Sequence, residues 1–192
     1  MKLEAPRREV EIVQDQNGLD LMLGELEKNT ETLAIDTERA SGFRYSQRAY
    51  LIQVGLADAG IFLIDPIALN EVEPDWNSRV AAELNSKPWL LHAATQDMPC
   101  LQELGFKSTQ IIDTELASRL AGFQRVGLGA MVEELLSLEL AKEHSAADWS
   151  LRPFGSEMLT YAALDVDVLH DLWASISQSL NEQGKMEWAE QE

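Results

Sequence analysis

Asp36 and Glu38 stand two residues apart in LAIDTE, at the end of an apolar run. On a β-strand this spacing places both carboxylates on one face. Two carboxylates held together on a rigid element repel each other unless a proton or a cation lies between them. Hard oxygen ligands of this kind suit Mg²⁺ or Mn²⁺. The chain holds 33 Asp and Glu in 192 residues, so the pair taken alone fits a solvated surface as well as a cation site. A second candidate lies in LLHAATQDMPCL, where an apolar run ends at His92 and Asp97 follows five residues later in the first turn of a predicted helix. Read alone, Asp97 is an acid placed to complement a helix N-terminus, and His92 is a hydrogen-bonded structural histidine. The third is TYAALDVDVLHDLW, in which Tyr161 and Asp165 are four apart and share one helix face. Asp167 and Asp171 share a different face, which is expected to meet solvent.

Taken together, Asp36, Glu38, Asp97, Tyr161 and Asp165 read differently. Four carboxylates converging on one cleft could hold two divalent ions about 4 Å apart, the arrangement suited to in-line attack on a phosphodiester. A tyrosine one turn before the last aspartate could position the attacking water.

The elements that would carry these residues follow from periodicity and punctuation. Residues 10–14 and 33–35 read as strands, and 17–29 has apolar residues at helical spacing. Residues 49–56 and 61–64 form two β-rich runs separated by Ala-Asp-Ala-Gly, a hairpin signal. Pro74 suits the first turn of a helix running to about residue 85, and 89–91 is a buried strand. A helix over 96–104 stops at Gly105. Helices are predicted over 114–121 and 128–137, and one long helix over 156–180 with Ser156 as its N-cap. Strands with interleaved helices, followed by helices, describe an α/β domain whose sheet is covered on its faces. No repeat or low-complexity linker divides the chain. We read 1–180 as one domain and 181–192 as a tail that would begin a connection to a further domain.

Composition narrows the class. With 45% hydrophobic residues the chain can form a core, and no apolar run approaches the ~20 residues of a membrane span. The first residues lack the apolar stretch of a signal peptide. The single cysteine, Cys100, allows neither an internal disulfide nor a cysteine-based zinc cage, which fits a reducing cytoplasm. The net charge of −18 would repel a polyanion at long range, but bound divalent ions would invert that field locally. The charge is also uneven. Residues 39–57 hold no acid and three arginines, Arg39, Arg44 and Arg48, interleaved with Phe43, Tyr45 and Tyr50, whereas 130–192 carry 13 acids against three bases. Arginines among aromatics suit a single-stranded end through phosphate pairing and base stacking; balancing charges on an acidic surface are the plainer alternative.

The chain resembles the exonuclease domain of ribonuclease D, in the DEDD superfamily of 3′-5′ exonucleases, tyrosine subtype. The resemblance runs over about residues 10–178. It rests on the three motifs and on YLIQVGL, FLIDP, IIDTELASRLAG, the MVEELL helix and DWSLRPF. It implies a ribonuclease H-like fold, with a mixed sheet of five or six strands flanked by helices. It further implies that Asp36, Glu38, Asp97 and Asp165 hold two divalent ions, Mg²⁺ or Mn²⁺, with Asp36 shared, and that Tyr161 orients the nucleophilic water. Asp113 is not a ligand in that pattern and reads as structural. Arg39, Arg44, Arg48, Gln53, His92, Lys142, Trp149 and Arg152 are the expected nucleic-acid contacts, although Trp149 by itself reads as a core anchor. Family members often carry an aromatic residue after the DTE triplet; here Arg39 follows. The expected partner is a single-stranded RNA 3′ end, of transfer RNA precursors or other small RNAs, with no membrane and no obligate protein partner. A DNA exonuclease and a catalytically silent nucleic-acid-binding module are the alternatives. A haloacid-dehalogenase-like phosphatase would need a second Asp where DTE has Glu.

Overall fold

The computed structural model describes residues 1–141 and 147–191. Its elements run β1 (Lys2–Leu3), β2 (Val10–Val13), α1 (Gln16–Lys28), β3 (Leu33–Glu38), β4 (Leu51–Leu56), β5 (Gly60–Ile64), α2 (Pro66–Val72), α3 (Trp76–Leu84) and β6 (Trp89–Leu91). A 3₁₀ turn (Ala94–Gln96) leads to α4 (Met98–Glu103), β7 (Ile111–Asp113), α5 (Thr114–Ala121), α6 (Leu128–Leu136), β8 (Glu139–Leu140), α7 (Ser156–Asp167), α8 (Leu169–Glu182) and α9 (Met186–Ala189).

Six strands form one mixed sheet in the order β2-β5-β4-β3-β6-β7, and β1 pairs with β8 in a separate parallel ribbon. The predicted hairpin is the antiparallel pair β4–β5, and β3 pairs antiparallel with β4 and parallel with β6. Strand β3 therefore lies inside the sheet. Its alternation divides the core. Leu33 and Ile35 belong to the cluster with α1, α3 and α4, whereas Ala34 belongs to the cluster with α5 to α8. By the same two-residue period Asp36 and Glu38 fall on the side covered by α7.

A close approach fixes how near α7 comes. Gly55 of β4 lies opposite Ala34. A Cβ at Gly55 would stand 3.3 Å from the Ala34 Cβ and 3.4 Å from Val166 on α7. The missing side chain lets the helix that carries Asp165 rest on the strands that carry Asp36.

Several boundaries differ from expectation, each for a local reason. Residues 66–72 form a helix of their own, started by Pro66 at its first position and by the Asp65 carboxylate, which accepts from the Ile67 and Ala68 amides at 2.9 and 3.2 Å. Pro74 precedes α3, which begins at Trp76. The long C-terminal helix is two, joined at Val168, and the N-cap position of α7 is Gly155, not Ser156. The segment beyond residue 180 completes α8 and forms α9, tied down where Lys185 Nζ donates to the Leu120 carbonyl at 2.9 Å.

Asp167 is not in solvent. It is 1% exposed, with Oδ2 accepting from Arg7 Nε at 2.8 Å and Oδ1 from an Arg8 guanidinium nitrogen at 2.7 Å. Arg7 also reaches Asp171 Oδ2 at 2.6 Å. Burial pushes the Asp167 carboxyl up, but the hydrogen bonds from Arg7 and Arg8 outweigh it and hold the group below its ordinary value. Its contribution is therefore present above the ordinary carboxylate range and is lost as pH falls through the lowered pKa. We expect Asp167→Ala to cost about 2 kcal/mol, less than a fully buried pair because both arginines stay partly solvated. Thermal melts should show a deficit of several degrees at pH 7 that narrows at pH 3.

Candidate active site

Asp36 and Glu38 leave the α7 side of β3, and Asp165 descends from α7 onto them. One carboxylate oxygen from each lies within 4.8 Å of the others. Asp97 is not within that distance of all three; it lines the same cleft from the start of α4. The cleft has a volume of about 400 Å³, with Leu128, Leu140 and Leu169 as apolar wall and Arg39, His92 and Tyr161 among its polar lining.

The electrostatics are those of a site short of positive charge. Burial, then the charges of Asp97, Asp165 and Glu38, push the Asp36 carboxyl well above its ordinary value, offset in part by the Thr37 amide. Burial and the Asp165 and Asp97 charges raise Glu38 to about 9. Asp165 is raised to about 7 by burial and Asp97, against the lowering effect of the Tyr161 hydroxyl, which donates to it. Asp97 is raised by burial, with Thr37 and Arg39 opposing. Carboxylates this close share protons at neutral pH or share cations. The donors are all hard oxygens, the set that fits a divalent ion such as Mg²⁺ or Mn²⁺.

Asp97 occupies the N-cap position of α4 but makes no capping bond. Its Oδ1 instead accepts from the Thr37 hydroxyl at 2.6 Å. Asp113 is structural, as expected. It caps α5 by accepting from the Glu115 amide at 2.8 Å, and it holds the turn after His92 by accepting from the amides of Ala93 and Ala94 at 3.0 and 2.8 Å. Ala93 has φ 60°, a left-handed conformation that costs a non-glycine residue roughly 1–3 kcal/mol unless its surroundings impose it.

The expected nucleic-acid contacts divide. Arg39 lines the cleft, donates to the Gln96 carbonyl and stands 3.9 Å from Asp97 Oδ1. His92 also lines it, with Nδ1 2.9 Å from Thr114 Oγ1; burial holds its imidazole below the usual value despite Asp113 and Glu115, so the ring is neutral at pH 7. Arg44 and Arg48 sit in the exposed loop 41–48 beside Phe43 and Tyr45, with the Arg48 guanidinium 4.8 Å from the Tyr50 ring centroid. Three others are engaged within the fold. Gln53 is fully buried and lies opposite Asp36 on β4, where its Nε2 donates to Glu38 Oε1 at 3.4 Å; it supports an acid and cannot touch a substrate directly. Trp149 is fully buried against Phe154 and Tyr161. Arg152 is consumed by Asp65, at 2.6 and 2.8 Å, and by the Tyr50 carbonyl at 2.9 Å, and it stacks on Phe154. Lys142 lies outside the described residues. Thr37 was missed as a site residue, although a hydroxyl between two acids on a central strand must be buried on the opposite face and needs a partner there.

A ribonuclease H-like mixed sheet with this acid cluster on a central strand and a covering helix defines a DEDD exonuclease domain. The chain belongs to the 3′-5′ exonuclease family, whose model matches residues 10–181. It is 26% identical over its whole length to ribonuclease D of Bartonella henselae, of which it covers 47%. A solved protein from Bifidobacterium adolescentis is 43% identical with a TM-score of 0.92, over 98% of this chain and 46% of that one. Escherichia coli RNase D, an exoribonuclease involved in structured RNA processing, is 27% identical with a TM-score of 0.78, over 94% of this chain and 48% of its own. The chain thus spans about half the length of these relatives. Among the described residues no helix is long and apolar enough to cross a membrane.

Proposed function

We propose that this chain is a 3′-5′ exoribonuclease that uses two divalent ions, Mg²⁺ or Mn²⁺, and releases nucleoside 5′-monophosphates one at a time. The convergence of Asp36, Glu38 and Asp165 within 4.8 Å carries the reading, with Asp97 on the same cleft. These four side chains would hold the ions, Asp36 being shared. When bound, such ions lower the pKa of a water and stabilise the charge developing on the leaving 3′ oxygen. The Tyr161 hydroxyl orients the attacking water, and Leu128, Leu140 and Leu169 give the cleft an apolar wall. Trimming or turnover of transfer RNA and other small RNAs in the cytoplasm is the setting proposed from the relatives.

Incubating 3′-overhang RNA and DNA with Mg²⁺ or Mn²⁺ and resolving products by length tests the reading. Stepwise shortening of RNA from its 3′ end is expected. Faster shortening of DNA would move the substrate to DNA, and no shortening of either would overturn the enzymatic reading.

The exposed arginines give a separate expectation. If Arg44 and Arg48 each pair with a phosphate of a single strand, replacing both by Ala should reduce the slope of log affinity against log salt by about 1.4, at ~0.7 per contact. Fluorescence anisotropy of a labelled RNA at several salt concentrations reads this, and an unchanged slope would place both arginines away from the substrate.

A further inference from the structure

Thr37 stands between Asp36 and Glu38 in sequence but faces the other side of β3, where it is 5% exposed. Its hydroxyl donates to Asp97 Oδ1 at 2.6 Å, the length of a charge-assisted bond. Cys100 Sγ lies 3.3 Å from that hydroxyl oxygen and donates to the Asp97 carbonyl at 3.0 Å, closing the buried side of the contact. Arg39 approaches the same Oδ1 at 3.9 Å. Among the described residues the polar contacts of the Asp97 carboxylate thus fall on Oδ1, and Oδ2 is the atom left for a further ligand.

We infer that Thr37 is a positioning residue for divalent-ion binding: its hydroxyl occupies Oδ1 of Asp97 and so sets which carboxylate oxygen meets the ion. This rests on the metal-dependent reading above. A ligand oriented in advance by a buried hydrogen bond gives up less rotamer freedom when the ion arrives. The geometry also couples two ligands through one residue. Asp36 is the neighbour of Thr37 on the same strand, so the hydroxyl ties Asp97 to the strand that carries Asp36.

Isothermal titration of Mn²⁺ into the whole chain without nucleic acid tests this, with wild type, Thr37→Val and Thr37→Ser compared. Val keeps the β-branch and volume and removes the donor; Ser keeps the donor and loses a buried methyl. The expected result is Mn²⁺ binding 10–100-fold weaker in Thr37→Val and close to wild type in Thr37→Ser, even where the melting temperature of the Ser variant is the lower. Should Thr37→Val fail to fold, Thr37→Ala against Thr37→Ser makes the same comparison of hydroxyl absent and present at near-equal size. Affinity within twofold of wild type in the variant lacking the hydroxyl, or an equal loss in the Ser variant, overturns the assignment. Failure of the wild type itself to bind Mn²⁺ would overturn the metal-dependent reading and this one together, before any substitution is compared.

Discussion

Asp165→Asn should lower hydrolysis by about 10³-fold or more, the scale of losing a preorganised charge at the reacting phosphate, while making the metal-free protein more resistant to heat at pH 8. The two effects share one cause. Asp165 is raised to about 7, by burial and then Asp97 against the Tyr161 hydrogen bond, and Glu38 to about 9, by burial and then the Asp165 and Asp97 charges. Such groups stabilise the folded state fully below their ordinary carboxylate pKa, and that contribution is lost as pH rises through the raised values. The metal-free wild type should therefore lose melting temperature between about pH 4 and pH 9, and saturating Mn²⁺ should restore it by binding only the folded state. The amide keeps the shape of the carboxylate and deletes one charge, so the variant should show a flatter pH profile and a smaller gain from Mn²⁺. Melting curves from pH 5 to 9 with and without Mn²⁺, beside single-turnover cleavage, check both halves. Cleavage within tenfold of wild type would remove Asp165 from the machinery.

Tyr161→Phe should lower turnover by roughly 10²-fold, the lower range for losing one positioned proton-handling or orienting group, with little change in KM. Burial, and then the charges of Asp165, Glu38 and Asp36, push the phenol upward from its ordinary value. It stays protonated at any working pH and is never the base; with its one proton donated to Asp165, its oxygen is left to accept from the attacking water. A hydroxyl that orients the attacking water matters chiefly in the transition state, which is why kcat falls and KM does not. Mn²⁺ binding should survive, because the four carboxylates remain. The ring still packs, with its centroid 6.5 Å from that of Trp149, so the melting temperature should hold. Unaltered cleavage would leave Tyr161 a packing residue.

What the sequence alone determined about this protein is what short-range periodicity can carry. The two-residue period of β3 puts Asp36 and Glu38 on one face, and the four-residue spacing on α7 joins Tyr161 to Asp165. The family resemblance extended those local facts to a common cleft. Tertiary structure alone decided which charges find partners. Asp167 and Asp171 look like a solvated helix face until Arg7 and Arg8, about 160 residues earlier, come to rest on Asp167. The ion pair of Arg152 with Asp65 and the burial of Trp149 among core rings are likewise set by packing. Gln53 belongs to the site only because β4 lies beside β3, and Thr37 only because α4 packs under the opposite face of the strand. The physical reason is the range of the interactions. Side-chain direction along a strand or helix is set by backbone geometry within a few residues, whereas the partner of a buried charge or hydroxyl is set by sheet order and packing, in which residues distant along the chain compete for the same place.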